Sequence, residues 1–397
     1  MNQPIARRTV LGAALGTAAL GAAALARTAA AQPAKPKSPL TVTVVDVAGN
    51  LALSQKAFEA YRRAKPEMVA KFNFTKAPAP ELPSKLRAQQ AANRVDLDLV
   101  LTGTDVLAAG IEQKLWIDLL PAHADALPKL DDILLPGALK MQALAQGQGV
   151  IIHYSPGGPI LEYMPDRVKT PPTTTDELLA WTRANKNRFM YARPANSGPG
   201  RAFLMGLPYL LGDTDPKDPM KGWDKTWAYL AELDKNIEYY PTGTGATMKE
   251  LGEGSRDIIA TMTGWDINPR ALGIVPKEAK ISLLKGFRFV TDGHYMCVPK
   301  GLDAERLAVM LDIMGFMLGK PAQAYGWDEG YFYPGPAVKD VPLTMAPKES
   351  QDAMAEFGRP EYAKILADTP TELPLEADRM VIAFRQWDER IGAKKTK

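Results

Sequence analysis

The sequence predicts an α/β protein with a mostly parallel sheet, built as two lobes. Three observations carry this reading. Short β-branched runs alternate with segments of helical period, the pattern of strand–helix–strand units. The 397 residues exceed what one hydrophobic core ordinarily serves. A strand at residues 149–154 runs into Ser155-Pro156-Gly157-Gly158-Pro159, a breaker cluster that marks a crossover from one unit to the next.

The elements follow in chain order. Residues 40–47 hold Val42, Val44 and Val45 and form a first strand, ending at Gly49-Asn50. Leu53, Ala57, Phe58 and Tyr61 then recur at helical spacing until Lys65-Pro66 stops them. Residues 71–75 form a second strand, 83–92 a second helix and 98–101 a third strand, closing on Thr102-Gly103-Thr104. Beyond the crossover come a helix over 176–185, the loop 193–200, helices over 223–233 and 247–252, and a strand over 258–262. Residues 286–299 return as a strand and 303–318 form an apolar helix; helices and Pro-rich loops continue to Trp387. The expected lobes are therefore 40–150, joined by the returning segment 293–320, and 151–292. Residues 321–397 would strap them together. In such sheets ligands gather at the carboxyl ends of the strands, here Val47 to Asn50 and Thr102 to Asp105.

The first residues read as an export leader. Arg7-Arg8 precede an Ala/Gly/Leu-rich run to Ala26 and the small residues Ala29-Ala30-Ala31, a signal-peptide pattern with twin-arginine character over residues 1–31. The run is poorer in Ile, Val and Phe than the roughly 20 strongly apolar residues of a membrane span. Cys297, the single cysteine, lies far from the leader, so no lipid anchor is expected, and its apolar surroundings predict a buried, inert thiol. Residues 1–31 hold three of the 48 basic residues and none of the 45 acidic ones, so removing them leaves 45 of each. A mature chain without net charge or a basic stripe gives no footprint for nucleic acid. The expected protein is a monomer free in the periplasm.

Several stretches carry a family resemblance. They are Val47-Ala48-Gly49-Asn50, Ala79-Pro80-Glu81-Leu82 running to Leu86, and Asp98-Leu99-Val100-Leu101. Later come Gly254-Ser255-Arg256-Asp257-Ile258-Ile259 with Gly264-Trp265-Asp266, then His294 to Gly301 before a helix, and Gly319-Lys320-Pro321-Ala322-Gln323-Ala324-Tyr325. In this order the chain resembles the family 1 extracellular solute-binding proteins, which include receptors for spermidine, putrescine and ferric iron. The resemblance implies a type II periplasmic-binding-protein (Venus-flytrap) fold: two α/β lobes joined by crossover hinge strands and closing on one small solute. It also implies an ABC permease and ATPase as partners and no catalysis. Polyamine receptors pair acids with aromatic rings, and Trp265-Asp266 matches that pattern. The returning strand departs from it, offering Asp292, Gly293 and His294 where the family carries Trp and Asp.

The residues expected at the ligand are Asn50, Thr104, Asn196, Trp265 and Asp266, then Thr244, Asp292 and Tyr295. Trp265 would stack on the solute and Asp266 accept from a donor on it. Thr242 to Ala246 could present helix-start amides to a carboxylate or phosphate, or form a plain turn. Asn196-Ser197-Gly198 could bind ligand or cap the helix that follows. Tyr239-Tyr240 resemble the adjacent tyrosines of ferric-binding receptors, although neighbours on an extended segment face opposite ways. Tyr331-Phe332-Tyr333-Pro334-Gly335-Pro336 could wall the cleft or strap the lobes. His123, His153 and His294 are too scattered for a zinc site, and no nucleophile elbow or HExxH motif occurs. No cofactor is expected. The rival readings are a ferric-iron receptor and a twin-arginine-exported periplasmic enzyme.

Overall fold

The computed structural model describes residues 35–392 and 395. The leader expected over residues 1–31 lies outside the described residues. Two sheets organise the chain. The larger has seven strands: β1 (Leu40–Asp46), β2 (Val69–Lys76), β3 (Leu99–Thr102), β4 (Val150–Gly158), β9 (Phe289–Cys297), β10 (Gly335–Pro336) and β11 (Thr371–Glu372). Their order is β10-β4-β9-β3-β1-β2, with β11 paired to β9. The smaller sheet contains β5 (Ile160–Tyr163), β6 (Phe189–Met190), β7 (Ile258–Thr261) and β8 (Lys280–Ser282), in the order β6-β7-β5-β8.

The larger sheet is mixed, which corrects the mostly parallel expectation. β1 pairs in parallel with β2 and β3, as the strand–helix–strand pattern required. β9, by contrast, runs antiparallel to both β3 and β4. Alternation of strands and helices reports only the local units; a strand that returns after more than a hundred residues carries no such signal of direction.

β4 and β9 run between two cores. Val150, Ile151, Ile152, Tyr295, Met296 and Cys297 belong to the first, with Val42, Val44, Phe58, Leu99 and Val100. Val290 at the other end of β9, and Leu161 just beyond β4, belong to the second, with Phe189, Phe203, Trp223 and Ile258. Ser155 to Gly158 was expected to break the strand, yet β4 continues through it. Ser155 Oγ accepts from Gly157 N at 3.1 Å and bonds Thr263 Oγ1 at 2.7 Å. The register to β9 slips between Ser155 and Gly158. At Gly157, φ is +86° and a Cβ would stand 2.0 Å from Val290 O, so the bulge requires glycine.

The first helix, Leu51–Ala64, buries Leu53, Ala57, Phe58 and Tyr61, the stripe its spacing predicted. Cys297 is free and buried. In the C-terminal helix Ala377–Trp387, Met380, Ala383 and Trp387 enter the second core beside Ala108. No described helix is long and apolar enough to cross a membrane.

Candidate functional site

A cavity of about 240 Å³ is lined from both cores. From the first come the loop Val47-Ala48-Gly49 after β1, and Gly103 and Asp105 after β3. These are carboxyl ends of parallel strands, where such loops collect ligands. From the second come Asn196, Ser197, Gly198, Arg201, Thr244, Met262 and Trp265. Asp292 and His294 of β9 form the floor, and Tyr331 and Phe332 close one side.

Arg201 spans the cavity. It lies on the helix Gly198–Leu211, whose neighbouring Phe203, Leu204 and Leu207 fill the second core. Its Nη2 donates to Asp292 Oδ2 at 2.9 Å, and Nη1 stands 3.4 Å from Asp105 Oδ2. Only 6% of Arg201 is exposed, and a charge so buried persists only when paired. Burial opposes its charge; Asp292 and Asp105 overcome that and hold the guanidinium firmly protonated. Burial also lifts the Asp105 carboxyl above its ordinary range, against the pull of Arg201. Asp292 Oδ1 accepts from Thr104 Oγ1 at 3.3 Å and from Gly293 N at 2.9 Å.

Behind this floor two imidazoles share one amide. Asn50 Nδ2 donates to His153 Nδ1 at 2.8 Å and His294 Nδ1 at 3.1 Å, and Asn50 Oδ1 accepts from Ser54 Oγ at 2.7 Å. Both rings are thereby held neutral with the proton on Nε2. Burial, with the Arg201 charge second, takes His294 down to about 3; burial and the neighbouring His294 lower His153 well below its usual value. Phe332 stacks on His294 at 4.1 Å between centroids, and Trp265 meets Tyr331 edge-on at 5.0 Å.

Of the eight residues expected at the ligand, Asn196, Thr244, Trp265 and Asp292 line the cavity. The other four are placed elsewhere. Asn50 is fully buried in the imidazole cluster, and Thr104 holds Asp292 from behind. Tyr295 is in the first core, its hydroxyl donating to Met141 O at 2.9 Å. Asp266 points away from Trp265: its carboxylate accepts from Gly264 N at 3.1 Å and is paired with Arg359. Adjacent side chains in this turn diverge, which splits the expected aromatic–acid pair. The tyrosine pair diverges as well. Tyr240 is in the second core with its hydroxyl on Asp234 at 2.8 Å, while Tyr239 bonds Glu250, so neither lines the cavity.

Arg201 was missed, while Asp105 and Ser197 were named only within the segments 102–105 and 196–198. A signal for Arg201 was present: it is the one charge in the otherwise apolar run Gly198–Leu211, and such a charge must find partners when buried.

A polar cleft seated between two α/β cores, with a pair of long strands running between them, defines a solute-capturing protein of the two-lobed periplasmic-binding type. The chain belongs to the bacterial extracellular solute-binding proteins, whose family description matches residues 56–356. No curated protein matches the sequence. Among solved structures it is similar to the periplasmic binding protein AfuA of Actinobacillus pleuropneumoniae, with fructose-6-phosphate bound (TM-score 0.64, 14% identity, 88% of this chain and 98% of that one). It is also similar to the spermidine/putrescine-binding protein PotD of Streptococcus pneumoniae (0.58, 13%, 88% and 99%). A third is the apo ferric ion-binding protein A of Pasteurella haemolytica (0.59, 14%, 88% and 97%). At these identities the likeness establishes the fold.

Proposed function

We propose that this protein is the solute receptor of an ABC importer, exported to the periplasm behind a cleaved twin-arginine leader and carrying no lipid anchor. It captures a small polar solute in the Arg201 cavity and presents the closed form to a permease and its ATPase. Lobe 1 comprises residues 40–150 with 293–320, lobe 2 comprises 151–292, and 321–397 bridges them. β4 and β9 serve as the hinge strands. The observation that carries the reading is that the cavity wall is divided between two cores, so a solute bound there favours closure. The cavity is small beside the 300–1,000 Å³ of sites for drug-sized ligands, which suits a compact metabolite.

Binding rather than catalysis is the role we assign. The charged and hydroxyl groups of the site pair with one another, as in the Arg201–Asp292 and Ser197–Thr244 contacts, and among the described lining residues none of these is the nucleophile–base pair that covalent catalysis requires. A thermal-shift screen of the purified protein against polyamines, amino acids, organic acids, phosphate esters and sugars tests this. A solute present at a hundred times its Kd adds about 2.7 kcal/mol to stability, a shift of several degrees. Trp265→Ala should abolish that shift while leaving the unliganded melting temperature nearly unchanged. A screen in which no compound shifts the transition, alongside turnover of any of them, would sink the receptor reading.

A further inference from the structure

The helix starts that face the cavity are not equally satisfied. Three helices begin at it: Thr104–Glu112 behind Gly103, Gly198–Leu211 behind Ser197, and Thr244–Glu253 behind Gly243. A fourth, Leu51–Ala64, starts beside Gly49, but Asp46 already caps it, accepting from Asn50 N at 3.0 Å and Leu51 N at 2.9 Å. Each N-terminus carries about half a positive charge, and two of the three are answered locally: Asp105 Oδ1 accepts from Val106 N at 2.9 Å and Ser197 Oγ from Gly200 N at 3.1 Å. Arg201 is matched by the two carboxylates, Asp105 and Asp292, so the Thr244 start is the one left without a partner of opposite charge. Those carboxylates are also occupied by Arg201 and Thr104, and Asp266 is engaged by Arg359. An ammonium ligand would find no free acid here.

The Thr244 helix is the least satisfied of the three. No side chain caps it, and no acid lies in its first turn. A Cβ built on Gly243 or Gly245 meets nothing within 4 Å. Thr244 Oγ1 shares a 2.6 Å hydrogen bond with Ser197 Oγ, which also accepts from Gly200 N at 3.1 Å. The two hydroxyls thus hold each other at the mouths of two helix starts, within reach of a ligand in the cavity. An independent observation concerns the opposite polarity. Asn196 Oδ1 is buried at the cavity without a hydrogen-bond partner, an acceptor that calls for a donor.

We infer that the solute is a compact oxyanion, a carboxylate, phosphonate or phosphate bearing a hydroxyl or amino group, with its anionic end at the Thr244 and Gly198 helix starts beside Arg201 and its donor at Asn196. This rests on the receptor reading and narrows it. The Arg201 guanidinium has five donors, of which the two acids take the edge already described, so an oxyanion can share it.

Gly243→Asp provides the test. Gly243 has φ −158° and ψ 158°, extended backbone open to any residue, and aspartate there caps the helix and places a negative charge where the oxyanion would sit. Titration calorimetry on the purified wild-type and variant proteins would use malate, glutamate and glycerol 3-phosphate, with putrescine, spermidine and glucose as contrasts. At least one oxyanion should bind the wild type, and Gly243→Asp should weaken it tenfold or more with an unchanged or higher melting temperature. Gly243→Ser, a neutral cap, should lose less. Binding of putrescine, spermidine or glucose with none of the oxyanions would overturn the ligand class and leave the receptor reading standing. An oxyanion that binds Gly243→Asp as tightly as wild type would overturn the proposed seat. Silence from all three oxyanions would overturn the ligand class, whereas the receptor reading stands or falls on the wider thermal-shift screen.

Discussion

Glu162 and the His153–His294 pair give the protein two opposed pH dependences. Both imidazoles are neutral in the fold with lowered pKa values, His294 at about 3, while the unfolded chain protonates near 6.5. The unfolded state thus binds more protons below pH 6.5, and stability drains as pH falls from there toward 3, by up to about 1.4 kcal/mol per pH unit for each ring. Glu162 behaves conversely. It is fully buried on β5, both carboxylate oxygens lack hydrogen-bond partners, and burial followed by the Asp266 charge raises it to about 8. Its contribution is complete below its unfolded value of 4.5 and is lost as pH rises through about 8. Denaturation measured across pH 4–9 should show both limbs. His153→Gln with His294→Gln should flatten the acid limb and Glu162→Gln the alkaline one; slopes unchanged in these variants would exclude the assignment. None of this was visible in residue order. The sequence showed His153 and His294 only as scattered histidines, because the Asn50 amide that joins them comes from more than a hundred residues away. Trp265 and Thr244 could be read since aromatic and helix-start residues announce themselves locally. Asp266 could not, for its partner Arg359 sits 93 residues on.

At the level of elements, local pattern did well wherever both ends of an element are marked in the chain. The Thr174 cap, the Asp303 cap and the Leu53–Tyr61 stripe place their helices to within a residue or two. It did less well where glycine serves a contact instead of a turn. Gly157 and Gly158 lie inside β4, and the helix expected from residue 247 starts at Thr244, because Gly243 is its N-cap. Ser197 shows how such a cap ties element to site: its hydroxyl closes the start of the Gly198 helix and bonds Thr244. Ser197→Ala should cost about 1 kcal/mol of stability in chemical denaturation, the usual worth of a serine cap. It should also weaken solute binding, since Thr244 would lose the hydroxyl partner that positions it at the cavity. A variant with full affinity would show that the hydroxyl pair is only a cap.

At the scale of the whole molecule, the Arg201–Asp105 pair joins a helix rooted in the second core to one that places Val106 and Leu107 in the first. It therefore bridges the two cores, and on the proposed receptor reading it favours the closed arrangement before any solute arrives. Asp105→Asn isolates this effect, because Arg201 keeps its 2.9 Å partner Asp292 and is not stranded as a buried charge. The unliganded variant should shift toward an open form, seen as a larger radius of gyration in small-angle scattering, and saturating solute should restore the wild-type value. Affinity should fall by the same factor as the closed population, so a loss of about 1.4 kcal/mol in closure would appear as a tenfold weaker Kd. If scattering and affinity both matched wild type, closure would be governed by the β4–β9 strand pair and the Tyr331–Trp265 contact, and Arg201 would be reserved for the solute. A weaker Kd with unchanged scattering would instead make Asp105 a ligand-side residue. The two readouts together thus separate a latch between lobes from a contact within the site.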